Sequence, residues 1–143
     1  MANLKAVMEI AKKSDIKVVI HCGDWDNILS VEAVVSFGIP LYTVMGNADV
    51  EEGIEDYIRL NTKNFDPDFL KIEIEGRKIG ITHKVKKDDN RFEGLDIVFS
   101  GHYHVAEEKM IDFTKFVRPG AILNGINFVV YETTNNNVEF VKE

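Results

Sequence analysis

Five side chains of types that commonly bind metal ions lie in separate short segments of this sequence. They are Asp24, Asn47, His83, His102 and His104. A mixture of imidazole, carboxylate and amide ligands suits Mn, Fe, Zn or Ni, whereas Ca and Mg prefer shells made only of oxygen. Two such ions about 3.5–4 Å apart can hold a phosphoryl group between them and provide hydroxide for in-line attack. The residue types therefore indicate a metal site, with phosphate chemistry as its expected use.

Short apolar segments typical of buried strands precede most of these residues. Residues 18–20 come before Asp24, residues 41–45 before Asn47, and residues 97–99 before the last two histidines. Because the carboxyl ends of parallel strands meet at one edge of an open α/β sheet, side chains that follow them are expected to converge there. The sequence thus predicts one site built from distant segments.

The hydrophobic periodicity predicts an αβαβα order in the first half of the chain and mostly strands in the second half. The predicted helices cover residues 3–13, 31–37 and 51–60. The predicted strands cover residues 17–21, 41–45, 69–74, 78–82, 96–100, 109–113, 128–132 and 138–141. This pattern favours an α/β fold in which two sheets pack face to face with helices outside.

Composition limits the possible classes of protein. A chain of 143 residues is expected to form a single domain, residues 1–143. Its net charge of −7 argues against a broad basic surface for nucleic acid, but metal ions could still supply positive charge locally for phosphate. The lone Cys22 excludes an internal disulfide and fits a reducing compartment. Since no apolar run approaches the roughly 20 residues that span a bilayer, we expect a cytoplasmic protein without a membrane partner.

Four short motifs, in this order, resemble those of the calcineurin-like metallophosphoesterases. They are Cys22-Gly23-Asp24, Gly46-Asn47-Ala48-Asp49, Thr82-His83 and Gly101-His102-Tyr103-His104. The short length and the turn at residues 118–121 resemble the small bacterial and archaeal phosphodiesterases of that superfamily. The resemblance implies a two-sheet sandwich flanked by helices in four layers (αββα). It also implies metal-hydroxide attack on a small phosphodiester or monoester, without a covalent enzyme intermediate.

The same resemblance assigns a role to each candidate residue. Asp24 would bridge two divalent transition-metal ions, either Mn, Ni, Fe or Zn. Asn47, His83 and His102 would complete one ion's site, and His104 would serve the other. Asp49 would lie beside the leaving group as a catalytic acid or an orienting group; the alternative is a turn or helix N-cap carboxylate.

Three positions depart from the family pattern. The opening Asp-x-His motif, which ends a first strand and supplies two ligands to the site of His104, is absent, so one ion is the expectation for the chain as given. One hypothesis is that Met1 is an internal methionine and that the natural chain begins about a dozen residues upstream. Ala48 stands where many members have a catalytic histidine, and Lys84 stands where the family often has glycine.

Two other functions stay open on these grounds. A degenerate site could leave a non-catalytic scaffold for protein contacts, as in the retromer coat, or a single-ion structural or sensing site. The missing strand would also leave an interior position of the sheet unfilled, with backbone groups that need partners. A homodimer is one way to fill such a position.

Overall fold

The computed structural model describes residues 2–62, 64–122 and 125–142, in which three α-helices precede most of the strands. The helices are α1 (Ala2–Lys13), α2 (Ile28–Val35) and α3 (Ile54–Asn61). The strands are β1 (Val19–His21), β2 (Leu41–Val44), β3 (Asn64–Asp66), β4 (Phe69–Ile74), β5 (Arg77–Thr82), β6 (Ile97–Ser100), β7 (Glu107–Ile111), β8 (Thr114–Arg118), β9 (Asn127–Glu132) and β10 (Asn137–Lys142). Met1, to which the hypothesis of an internal start applies, lies outside the described residues.

The strands form two sheets and a separate hairpin. The first sheet has the order β1-β2-β3, and all of its strands are parallel. The second sheet has the order β4-β5-β6-β8-β7; β5, β6 and β8 are parallel, and each edge strand is antiparallel to its neighbour. Strands β9 and β10 pair with each other in antiparallel fashion. The candidate loops follow β1, β2, β5 and β6, so they leave the two sheets at strand ends of the same polarity.

Three apolar clusters show how the layers stack. The helices cover one face of the first sheet through a cluster that includes Met8, Val31 and Ile58. A second cluster, which includes Val44 and Ile79, fills the space between the sheets. The predicted two-sheet sandwich is therefore confirmed. The outer face of the second sheet is covered by the segment around a 3-10 helix, Asn90–Phe92, rather than by a long α-helix.

The region predicted as one strand at residues 109–113 is instead a tight hairpin. The chain turns at Asp112, whose φ of 54° is left-handed, so residues 109–111 end β7 and residues 112–113 form the turn before β8. The prediction was wrong because an aspartate can adopt this conformation without glycine or proline beside it. The short strand β3 was also not predicted, since its three residues show no clear alternation.

A gap separates the first sheet from the β9–β10 hairpin. Among the described residues, β1 pairs only with β2 and β9 pairs only with β10, so each has a free edge. Residues of both strands line one cavity of about 980 Å³. Leu4 and Val7 of α1 and Phe99 of β6 also line it, so side chains from both neighbouring layers face this space. In the described residues no strand fills the space between β1 and β9, and the absence of a first strand stays a prediction.

Within residues 2–62, 64–122 and 125–142, none of the helices combines the length and apolar composition needed to cross a bilayer.

Candidate metal centre

Two glycines allow the loops after β1 and β2 to lie against each other. Gly23 has a φ of 94°, and a Cβ at this position would lie 2.6 Å from the backbone nitrogen of Gly46. A Cβ at Gly46 would in turn overlap the carboxylate of Asp24. Because neither residue carries a side chain, the two loops approach closely enough to share hydrogen bonds.

Asp49 holds these two loops together through its carboxylate. It accepts backbone N–H bonds from Asp24 (3.0 Å), Gly46 (2.8 Å) and Asp26 (3.1 Å), and a further one from Trp25. Charge-assisted bonds of this kind are stronger than neutral ones. These hydrogen bonds show that Asp49 positions the loop that carries Asp24. A direct role of Asp49 in catalysis stays a prediction.

Three candidate ligand atoms form a small triangle at the ends of β2, β5 and β6. The Oδ1 atom of Asn47 lies 2.8 Å from Nε2 of His83 and 3.2 Å from Nδ1 of His102. The two imidazole nitrogens lie 3.2 Å apart. Ligands about 2.1 Å from one ion are separated by about 3.0–3.4 Å, so this triangle has the size of one face of a coordination shell.

Asp24 adds a fourth group next to this triangle. Its Oδ2 lies 3.4 Å from Nε2 of His83, while its Oδ1 accepts a hydrogen bond of 2.8 Å from the backbone N–H of Ala48. The backbone of Asp24 has a φ of 61°, and the backbone of His102 has a φ of 67°. Left-handed backbone at a residue with a side chain is uncommon, and here it occurs at two of the four candidate ligands.

The tautomer of His83 follows from its other ring nitrogen. Its Nδ1 lies 2.8 Å from the carbonyl oxygen of Cys22, which can only accept, so Nδ1 donates a proton. In the neutral ring Nε2 is then unprotonated, and its lone pair points toward the amide oxygen of Asn47. Two acceptors at this distance repel each other unless a cation or an added proton lies between them. The donor set therefore fits a divalent ion, and the hydrogen bond to Cys22 orients the ring as is usual for histidine ligands.

His104 is not brought into this group. Its side chain is exposed, and no hydrogen bond or ion pair links it to Asp24, Asn47, His83 or His102 in the described part of the chain. It does line the large cavity together with Asp24 and His102. Within the described residues, no set of three or more His, Cys, Asp or Glu side chains has the geometry of a metal site, so the amide of Asn47 is needed to join the group.

Two neighbours of Asp24 are held in their neutral forms. His21 stacks on Trp25 with ring centroids 3.6 Å apart, and burial lowers the pKa of its imidazole to about 3. Its Nδ1 accepts a hydrogen bond from the N–H of Gly23, which fixes the start of the loop. Burial raises the pKa of the Cys22 thiol to about 12, so the thiol is a weak nucleophile and only its backbone carbonyl serves the site.

Two positively charged side chains approach the ring of Tyr103, the residue after His102. The Lys84 ammonium lies 5.7 Å and the Arg118 guanidinium 5.1 Å from the ring centroid of Tyr103. The Tyr103 ring in turn lies 4.8 Å from that of His102. From the sequence, Lys84 departs from the family pattern in a way that could charge the pocket, and Lys84 or Arg91 could contact substrate phosphate. Arg118 lies too far along the chain for its proximity to be predicted from spacing.

The comparisons with known proteins point to one family. A family model described as the calcineurin-like phosphoesterase superfamily domain matches residues 1–136. Among curated proteins, Phosphodiesterase MJ0936 of Methanocaldococcus jannaschii is 26% identical over 126 residues, which are 84% of this chain and 76% of that protein.

Solved structures with the same fold include both enzymes and a vacuolar sorting protein. An archaeal phosphodiesterase has a TM-score of 0.83 at 21% identity, and the match covers 99% of this chain and 92% of that one. The phosphoesterase Yfce from E. coli has a TM-score of 0.68 at 14% identity, covering 99% and 92%. A Vps29 variant from Entamoeba histolytica has a TM-score of 0.65 at 18% identity, covering 97% and 89%. At these identities the likenesses show a shared fold.

Proposed function

This chain belongs to the calcineurin-like phosphoesterase superfamily, and from this premise we propose that it hydrolyses small phosphate esters with divalent metal ions. The observation that supports the proposal is the close approach of four candidate ligands, Asp24, Asn47, His83 and His102. Their mixture of oxygen and nitrogen donors favours Mn, Fe, Zn or Ni. A divalent ion held there supplies Lewis acidity and lowers the pKa of a bound water.

The chain's own residues set the geometry of this reaction. Asp24 is fixed by the N–H of Ala48 on one oxygen, which leaves the other oxygen directed toward His83. His83 is fixed through the carbonyl of Cys22, so its free nitrogen is aimed before any ion binds. Such preorganisation reduces the cost of assembling ligands around an ion.

The site is poorly equipped to protonate a leaving group. Ala48 has no ionisable group, and the carboxylate of Asp49 already accepts four backbone N–H bonds. We therefore expect the fastest turnover with substrates whose leaving groups are stable anions, because these need no proton in the transition state. Aryl phosphodiesters meet this requirement.

The direct test is turnover of an aryl phosphodiester by the purified protein with added Mn²⁺, Ni²⁺ or Zn²⁺. Activity should disappear with a chelator and return when metal is added back. Asn47→Ala should lose most of this activity, whereas Asn135→Ala, at an exposed turn, should keep it. Turnover that is unaffected by chelation, or equal losses in both variants, would contradict the proposal.

A second candidate function is favoured by one surface feature. Three apolar side chains are exposed around the β7–β8 hairpin: Met110 (56%), Ile111 (48%) and Phe113 (93%). Clustered exposed apolar residues often mark protein contacts, and a second copy of this chain is the partner predicted from sequence. Mass measurement in solution tests this role. A dimer that Phe113→Glu converts to a monomer would support it, and a monomeric wild-type protein would oppose it.

A further inference from the structure

Lys84, Tyr103 and Arg118 form a compact group beside the candidate metal centre, and the proposed hydrolysis does not use it. Both cations lie within 6 Å of one tyrosine ring, at 5.7 and 5.1 Å from its centroid. Tyr103 is itself 50% exposed, so the group is open to solvent on at least one side. Its ring meets that of His102 edge to face at 4.8 Å. The group is thus linked through Tyr103 to a candidate ligand.

The charge of Lys84 is not neutralised by a nearby carboxylate. Among the described residues, no carboxylate oxygen lies within 4.0 Å of its ammonium group. Arg118 is partly paired, since one guanidinium nitrogen lies 3.7 Å from the carboxylate of Glu107. Its Nε also donates a bond of 2.6 Å to the carbonyl of Val105, which fixes the guanidinium in place.

A cation over an aromatic ring is held without losing its charge. The attraction to the negative face of the ring is weak at an exposed site, and it leaves the cation able to bind an anion. The chain carries a net charge of −7, so two cations on one ring are a local exception to its acidic surface. The arrangement has the character of an anion subsite next to the candidate centre.

We propose that Lys84, Arg118 and Tyr103 bind a second anionic group of the substrate, such as a carboxylate on the organic part of the phosphate ester. This inference rests on the proposed function, because it places the reacting phosphate at Asp24, Asn47, His83 and His102. Lys84 supplies a charge without a paired carboxylate among the described residues, and Arg118 supplies a fixed fork of donors. Tyr103, whose ring contacts that of His102, is the ring that both cations approach. Substrates with one anionic centre gain nothing from this group.

A binding experiment tests the subsite without requiring turnover. Two non-hydrolysable probes, phenylphosphonate and 4-carboxyphenylphosphonate, are titrated into the protein by calorimetry in the presence of Mn²⁺. The wild-type protein should prefer the carboxylated probe by about fivefold, the scale of one partly exposed charge pair. Lys84→Gln should bring this preference close to one, and Lys86→Gln, an exposed lysine of the same loop, should retain it.

A second pair of variants tests the role of the Tyr103 ring. Tyr103→Phe keeps the aromatic face and should retain the preference, whereas Tyr103→Leu removes the face and should reduce it. Equal affinity of the wild-type protein for both probes, no binding of either probe, or the same loss in Lys84→Gln and Lys86→Gln would overturn the inference.

Turnover separates this inference from the proposed function. The ratio of kcat/KM for a carboxylated and an uncharged aryl phosphodiester should fall about fivefold in Lys84→Gln. If neither ester is turned over while the probe preference persists, the proposed function fails and the subsite remains. If both esters are turned over without any preference, the subsite fails and the proposed function remains.

Discussion

Two halves of the candidate site differ in how firmly their side chains are held in place. Around His83, polar groups from four loops lie 2.8–3.4 Å apart, and hydrogen bonds fix Asp24 to the N–H of Ala48 and His83 to the carbonyl of Cys22. Around His104, the side chain is exposed and the neighbouring space is the cavity between the free edges of β1 and β9. We call these the assembled half and the open half.

The difference teaches that contacts between loops, and not only the strands beneath them, hold a ligand in place. Asp24 follows β1, which has a free edge in the described residues, yet its carboxylate is held by the N–H of Ala48. His104 lies in the same loop after β6 as His102, but its side chain is exposed. Ligands are therefore preorganised where neighbouring loops hold them.

The largest difference between the halves should appear in metal-dependent activity. His83→Ala removes the atom that lies closest to Asn47, Asp24 and His102, so we expect kcat/KM to fall by at least about 100-fold. His104→Ala removes a side chain without contacts in this group and should have a much smaller effect. Steady-state turnover with saturating Mn²⁺ measures both, and equal losses would show that the two halves contribute alike.

The next effect concerns stability of the assembled half. Asp49→Ala leaves four backbone N–H groups without their acceptor and should lower the free energy of unfolding by about 3 kcal/mol. Asp56→Ala, on the exposed face of α3, should change it by less than about 0.5 kcal/mol. Urea unfolding of both variants provides the measurement. A stable Asp49→Ala protein would mean that the loops hold their shape without this carboxylate.

The stability cost of replacing a valine by alanine should be larger between the two sheets than beside the cavity. Val44 is fully buried between the sheets, and its replacement by alanine should cost about 2 kcal/mol. Val130 lies on β9 and lines the open cavity, so Val130→Ala should cost less than about 1 kcal/mol, because its surroundings are already incompletely filled. Thermal unfolding of the two variants compares them. A larger cost at Val130 would indicate that the cavity is closed in solution.

A further effect, which develops over several pH units, is the pH dependence of stability due to His21. Its pKa is lowered to about 3 in the folded protein, below the value of 6.5 for an unperturbed imidazole. As pH falls below about 6.5, the unfolded chain takes up a proton that folded His21 does not, so stability decreases toward pH 3. Above pH 6.5 this contribution is constant.

His21→Asn keeps a hydrogen-bond acceptor near Gly23 and cannot become charged in this range. Its urea midpoint should therefore fall less than that of the wild-type protein between pH 7 and pH 5. An identical decrease in both proteins would mean that other groups cause the acid sensitivity.

The sequence predicted most of the fold because apolar periodicity is a local property. The strand at residues 69–74 matches β4 throughout, and the helix at residues 3–13 differs from α1 by one residue at its start. The hairpin of β7 and β8 was missed because its turn depends on the left-handed backbone of Asp112 rather than on a glycine. A single-domain organisation and a cytoplasmic location stay predictions.

The sequence predicted which residues form the candidate site, but not the interactions that hold them in place. Motif order pointed to Asp24, Asn47, His83 and His102, and the structure brings these four together. The carbonyl of Cys22 and the four N–H groups that donate to Asp49 are backbone groups, so the identities of the residues that carry them give no signal. The exposed position of His104 likewise could not be predicted from its motif, because His102, two residues earlier in the same loop, is brought into the group.

Crystals soaked in Mn²⁺ and measured for anomalous scattering would test the account most directly. We predict one strong peak within bonding distance of Asp24, Asn47, His83 and His102, and a weaker peak or none beside His104. A dominant peak near His104, or no manganese at the first four residues, would contradict the assignment of the assembled half as a metal centre.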